Sequence, residues 1–385
     1  MNSLQKGIIT LIRSALLNKA LPLPLDFSIE EAYPLLLKHQ IFALCYEGAV
    51  ICGINKNLTE MQKLFKLNFK NLIKSENQDR ELKKVSSLFN ENKIDYLLLK
   101  GSILKDLYPR RELRQMGDAD ILIRESQYKT VKKLLEAENF KQKVGSDHAY
   151  IWYNKNITLE IHKRPMSSEN LEMFDYFGNG WYKAYPETEY RYKLPPEDDF
   201  IYIFAHFAKH YRLGGIGCRQ VIDLWLFQKS NPNMNYGYIE NEIKKLKLFD
   251  FYKNISSLIS CWFEDSPENE LTSLLTDFIF DSGSWGTEKN IAISKSAILK
   301  QKNESFIKTK LKRFLKLLFP ALTSLKGRYR VLENLPFLLP VIWIIRWGDI
   351  LKNRPKNIAH RIKETNLVTA DNLEFFENFM HKSGL

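Results

Sequence analysis

The sequence predicts an α+β protein, with a small mixed β-sheet core flanked by N-terminal and C-terminal helical segments. Three observations carry that expectation. Apolar residues recur at helical spacing through the first 90 positions, four short apolar runs of strand length follow between 94 and 161, and helical spacing returns after Pro195. A chain of 385 residues has room for two or three folded units. The expected segments are 1–85 (helical), 86–194 (the α/β core), 195–290 (helical, closing a cleft) and 291–385 (basic and helical).

Each element has its own signal. Met1 to Leu23 holds apolar runs broken by Lys6, Arg13 and Lys19, the pattern of an amphipathic helix and not of an export signal. Phe27 to Val50 reads as one helical stretch, with Ser28 as N-cap before Glu30 and Glu31. Leu58 to Phe89 is a long charged helix whose expected buried stripe is Leu58, Met61, Phe65, Phe69 and Leu72. The strand-length runs are Ile94–Leu99, Ala119–Ile123, Tyr150–Tyr153 and Ile157–Ile161. Helix patterns separate them at Ser102–Tyr108, closed by Pro109, and at Glu125–Asn139. Pro195-Pro196-Glu-Asp-Asp then opens a helix over Phe200–Arg212, helices continue through Phe263, and Ser282, Gly283 and Gly286 mark a loop.

Composition narrows the class. The chain is 44% hydrophobic and 26% charged, which excludes a disordered or low-complexity protein. Cys45, Cys52, Cys218 and Cys261 form no CxxC pair, so a disulfide framework and a structural zinc are both unexpected, and reduced thiols in the cytoplasm are the reading. The longest apolar run, Leu335–Ile345, is shorter than the ~20 residues of a spanning helix, and Pro336 and Pro340 interrupt it. Net charge is +12, and it is uneven: residues 291–385 hold 18 Lys and Arg against 7 Asp and Glu. That points to an anionic partner, such as nucleic acid or an acidic membrane face, or to a merely solvated surface. Lys308, Lys312 and Lys316 share one helix face and would form an RNA contact on the first reading. Trp343 and Trp347 leave peripheral membrane contact open.

Three pieces of the central unit fit one chemical task. Lys100-Gly101-Ser102 runs from a strand into a helix, where a glycine admits a phosphate close to free backbone N–H groups. Asp118 and Asp120 sit two apart at the start of a strand, so their carboxylates converge on one face, an arrangement that suits Mg²⁺ or Mn²⁺ bridging to a phosphate. Glu160 is an acid inside an apolar strand, facing either solvent or a site. Each signal is weak alone. Arg114 is a phosphate neutraliser or an ion-pair partner of an acid such as Glu112. A later helical cluster, His206, Lys209, His210, Arg212, Arg219, Gln220 and Asp223, lacks a third ligand at zinc spacing. His39 and His162 read as structural histidines.

Taken together, the elements resemble the DNA polymerase β-type nucleotidyltransferase superfamily, and most closely a bacterial branch of uncharacterised nucleotidyltransferases. The matching residues are Leu99-Lys-Gly101, Tyr108-Pro109, Arg114-Gln-Met-Gly117-Asp118-Ala-Asp120-Ile-Leu122 and Leu159-Glu-Ile-His162. The resemblance implies a nucleotidyltransferase core that moves a nucleoside monophosphate from an NTP, ATP first among them, to a hydroxyl-bearing acceptor. It implies that Asp118, Asp120 and Glu160 hold the metal, with Glu160 completing that site or taking the acceptor's proton. Gly101 and Ser102 would receive the terminal phosphates, flanked by Lys100 and Arg114, with Lys209 and Arg219 as further nucleotide contacts. RNA or tRNA, a protein or a small molecule would be the acceptor. The alternative is a non-catalytic nucleotide- or RNA-binding module on the same fold.

Overall fold

The computed structural model describes residues 1–143, 145–284, 286–300, 305–322, 325, 329, 331–353 and 367–385. Parts of the expected basic segment, including 354–366, lie outside the described residues. The fold is α+β, with one mixed seven-stranded sheet flanked by helices.

The chain begins with α1 (Ser3–Leu17), α2 (Ile29–Lys38), α3 (Phe42–Ile51) and α4 (Thr59–Glu91). Ser28 caps α2 as expected, its hydroxyl accepting from the N–H groups of Glu30 and Glu31. The expected single helix over 27–50 is in fact two. Gln40 adopts a left-handed φ of 53° between them, and the His39 ring just before it is held by the Phe280 carbonyl at 3.1 Å and the Cys218 N–H at 3.2 Å. The expected stripe on α4 also needs correction. Met61 is buried, but Phe65, Phe69 and Leu72 are exposed, and the helix buries Leu64, Ser75, Gln78, Leu82, Val85 and Phe89 instead. The helix is long enough to pass from one packing partner to another, which no single hydrophobic period describes.

The central unit runs β1 (Tyr96–Leu99), α5 (Gly101–Leu104), β2 (Ala119–Ile123), α6 (Tyr128–Ala137), β3 (Lys141–Lys143), β4 (Ala149–Tyr153), β5 (Thr158–His162), α7 (Leu171–Phe177), β6 (Tyr185–Pro186) and β7 (Arg191–Lys193). The spatial order is β3-β4-β5-β2-β1-β7-β6. β1 and β2 pair antiparallel, while β2–β5 and β1–β7 pair parallel. The four expected strands are all present; β3 and β6 at the edges, and β7 beside β6, are short strands with no apolar alternation to announce them.

Register divides the residues between two faces. One carries Tyr96, Ala119, Ile121, Ile123, Leu159 and Ile161 onto a core with Leu82, Val85 and Phe89 of α4 and Val131 and Leu135 of α6. The other carries Leu97, Leu99 and Leu122 into a larger core shared with the helices. A one-residue slip of β2 would exchange these sets and drive Asp120 into the α4/α6 core, so burial on both faces fixes the register.

The helical half is α8 (Pro196–Gly214), α9 (Cys218–Ser230), α10 (Tyr236–Lys245), α11 (Phe249–Phe263), α12 (Glu270–Ser282) and α13 (Glu288–Leu299). Beyond it come α14 (Phe306–Leu318), α15 (Val331–Asn334), α16 (Leu339–Asn353) and α17 (Ala370–Ser383). Gly215 ends α8 at φ 103°, against Ser282, where a Cβ would lie 2.0 Å from the Ser282 hydroxyl oxygen. That stop turns the chain so that α9 returns against α8 and the segment between β1 and β2. The large core draws on all the expected segments, from Ile8 to Met380. The four cysteines are free. No helix among the described residues is long and apolar enough to cross a membrane.

Candidate active site

Asp120 and Glu160 are register partners on the parallel strands β2 and β5. Side chains paired in this way share a sheet face, and so do residues two apart on one strand. Asp118, just before β2, and His162, two beyond Glu160, therefore join the same face. His162 Nε2 lies 2.8 Å from Asp120 Oδ1 and 3.4 Å from Glu160 Oε2. Asp120, Glu160 and His162 each place a potential ligand atom within 4.8 Å of the others, the one such group found among the described residues.

Lys100 faces the carboxylates from the end of β1. Its ammonium lies 3.4 Å from Asp120 Oδ1 and donates to His206 Nε2 of α8 at 2.7 Å, above the Tyr202 ring. The backbone of Lys100 is in the positive region, φ 35°, so the chain bends sharply where β1 meets Gly101. Behind it, Ser102 is buried and its hydroxyl has no hydrogen-bond partner.

The charges are unequal in environment. Burial, with Asp120 and Glu160 nearby, pushes the Asp118 carboxyl up to about 6. Burial also opposes charge on Asp120, but the Lys100 ammonium and the His162 hydrogen bond hold that carboxyl well below the usual range. The His162 hydrogen bond lowers Glu160. Burial disfavours charge on His162, and the two acids outweigh it, so its pKa is raised.

These groups line a cleft of about 460 Å³ between the sheet and helices α8 and α9, a size that suits a nucleotide-sized ligand. Gly101, Asp118, Asp120, Glu160 and His162 line it from the sheet side, and His206, Lys209, Arg219 and Gln220 from the helices. A larger groove of about 730 Å³ along α4 is walled by solvated charged side chains such as Glu76, Arg80 and Lys84, and gathers no such chemistry.

The other residues singled out in the sequence are placed as follows. Lys209 reaches the cleft, and burial with the nearby Lys100 charge lowers its pKa. Arg219 is buried, donating through Nη1 to Gln40 Oε1 and the Gln115 carbonyl, both at 2.7 Å, and leaving Nε without a partner. Arg114 does not pair with Glu112. It is locked to Asp223 of α9 and to the Gly101 carbonyl, so it shapes the turn from behind. His206 and His210 are 3.2 Å apart at Nε2, and the cation beside them is Lys100. His39 is held by backbone groups at both ring nitrogens, and His162 sits in the acidic cluster. The spacing Glu160-x-His162 was a usable signal, because period two puts both on one face. Nothing local foretold His206 as the partner of Lys100.

Carboxylates converging from adjacent strands beside a bent Lys-Gly-Ser turn define a nucleotidyltransferase core. The chain belongs to the family described as uncharacterised nucleotidyltransferases, whose sequence pattern matches residues 26–264. Comparison with curated proteins and with solved structures finds no match.

Proposed function

We propose that the protein transfers a nucleoside monophosphate from an NTP, ATP being the first to test, to a hydroxyl-bearing acceptor in the presence of Mg²⁺ or Mn²⁺. The observation that carries this reading is the in-register Asp120–Glu160 pair, joined by Asp118 and His162 in a cleft that also holds Lys100, Lys209 and Arg219.

The donor set fits a divalent cation. Three carboxylates crowd one face, Asp118 is pushed toward neutrality by burial and by its neighbours, and carboxylate oxygens are what Mg²⁺ and Mn²⁺ accept. Asp118, Asp120 and Glu160 would hold the ion, with His162 as an additional donor. A bound ion would supply charge neutralisation of the triphosphate and of the oxygens that gain charge during transfer.

The chain's own residues do the rest. The backbone amides at the Gly101–Ser102 turn receive phosphate oxygens, with Gly101 lining the cleft and the unpartnered Ser102 hydroxyl buried behind it. Lys209 and Arg219 bring positive charge to the opposite wall and favour a polyanion there. The acceptor hydroxyl attacks the α-phosphorus in line, its proton passes to a carboxylate of the cleft, for which Glu160 is the residue of choice, and pyrophosphate leaves.

Incubation with α-labelled NTP, Mg²⁺ or Mn²⁺, and a panel of tRNA, protein and small hydroxyl acceptors tests this. The expected result is label in an acceptor, lost in Glu160→Gln while NTP binding persists. Binding of NTP without transfer to any acceptor would favour the non-catalytic module.

A further inference from the structure

α14 is mounted inside out. Its sequence, Phe306–Leu318, is strongly amphipathic, and a helix of this kind on a soluble protein normally turns its apolar side inward. Here the inward side is mostly polar, although Phe306 at its start packs against the large core. Thr309 and Arg313 are buried, and Arg313 Nη1 donates to the Ala292 carbonyl at 2.6 Å and contacts the Ser296 hydroxyl oxygen at 3.0 Å on α13. The opposite side presents Ile307, Leu311, Phe314 and Leu315, which are 77%, 56%, 45% and 45% exposed.

α16 also exposes apolar residues, although its inward side is itself mostly apolar. Ile342, Arg346 and Ile350 face inward, while Val341, Ile344 and Ile345 are exposed, preceded by exposed Phe337. The two helices adjoin: Trp347 Nε1 donates to the Leu318 carbonyl at 2.9 Å, Trp343 Nε1 to the Pro320 carbonyl at 3.0 Å, and the Phe319 and Trp343 rings are 5.1 Å apart. Contiguous apolar exposure on this scale marks a docking surface.

Charge identifies the occupant. α14 carries Lys308, Lys310, Lys312, Arg313 and Lys316 and no acidic residue. On the helical wheel Lys310 borders the apolar stripe on one side, and Lys308 and Lys312 border it on the other. Lysines flanking an apolar stripe, with tryptophans close by, suit the boundary between anionic headgroups and acyl chains. RNA would match the lysines but would leave the isoleucines and phenylalanines between them in water. We propose that α14 and α16 form a peripheral docking surface for an anionic lipid bilayer, placing the catalytic cleft near a membrane. The surface shares no residue with the cleft, so its test is independent of the transferase reading.

The experiment is flotation of the full-length protein with phosphatidylcholine vesicles, with and without phosphatidylglycerol. Binding is expected only to the anionic vesicles, weakening with salt. Ile307→Glu combined with Ile344→Glu should reduce it about tenfold or more, and Lys308→Glu or Lys310→Glu about fivefold each. All these positions are exposed or at the stripe's edge, so melting temperatures should match wild type. Failure to float with anionic vesicles overturns the proposal. So does a dimer in sedimentation that the isoleucine variant dissociates without lipid, or a tRNA shift that depends on the lysines alone.

Discussion

Arg114 and Asp223 form a buried two-point pair, with Nε 2.7 Å from Oδ1 and Nη2 2.8 Å from Oδ2. The third nitrogen, Nη1, donates to the Gly101 carbonyl at 3.1 Å, and the Tyr108 hydroxyl donates to the same Oδ1 at 2.9 Å. One carboxylate on α9 thereby positions the turn after β1 and ties the helical half to the sheet. Only a planar fork reaches all three oxygens.

Arg114→Lys should therefore fail despite keeping the charge. The expected losses are about 1–3 kcal/mol of stability and a weaker affinity for NTP through the displaced turn. Asp223→Ala, which strands Arg114 beside Arg219, should cost about 3–5 kcal/mol. Urea denaturation measures both; a lysine variant as stable as wild type would remove the fork from the account.

Asp118→Asn and Asp120→Asn should both abolish metal-dependent transfer but differ in stability. Burial and the crowding of like charges favour a neutral group at 118, so that variant melts at or above the wild-type temperature without metal. Asp120 is the counter-ion of Lys100 and His162, and its loss should destabilise by up to about 3 kcal/mol. Calorimetry in chelator decides; equal shifts for the two variants would contradict the assignment.

Gly101→Ala separates packing from ligand approach. A Cβ there would meet Arg114 Nη1 at 3.4 Å and Met116 at 3.6 Å, ordinary contacts that the fold accommodates. Stability should stay within about 1 kcal/mol of wild type, while NTP affinity falls about tenfold or more, equivalent to about 1.4 kcal/mol. Unchanged affinity in a nucleotide titration would mean that no phosphate approaches Gly101.

His39 makes stability sensitive to acid. Burial, in spite of the Phe280 carbonyl, lowers its pKa from 6.5 to about 4, so the folded protein holds the ring neutral. A lowered folded-state value means that the unfolded chain binds the proton first. Stability is complete above pH 6.5 and declines as pH falls toward 4, by about 3 kcal/mol at most. His39→Gln should lower stability at neutral pH and flatten this acid limb. Melting curves from pH 7 to pH 4 would expose an unchanged slope.

The imidazole in the acidic cluster should bias the choice of metal. Mg²⁺ keeps to oxygen ligands more strictly than Mn²⁺ does. His162→Gln should therefore weaken Mn²⁺ binding, read by electron paramagnetic resonance, more than Mg²⁺ binding read by competition. Equal losses would mean that His162 only orients Asp120.

Local pattern was enough to determine the four central strands, the Ser28 cap, the Gly-Ser turn and the convergence of Asp118 with Asp120, whereas the same pattern left Glu160 facing either solvent or the site. Each depends on a period of two or on capping chemistry, which act over a few residues. The same rule placed His162 beside Glu160, had its period been followed. Tertiary structure alone decided the break at Gln40, the partner of Arg114, the meeting of Lys100 with His206, and the outward face of α14. In each of these the deciding contact joins residues far apart in the chain. Asp223 lies 109 positions beyond Arg114, and His206 lies 106 beyond Lys100. Periodicity made α14 amphipathic, but which side it buries was settled by Arg313 finding its acceptors on α13.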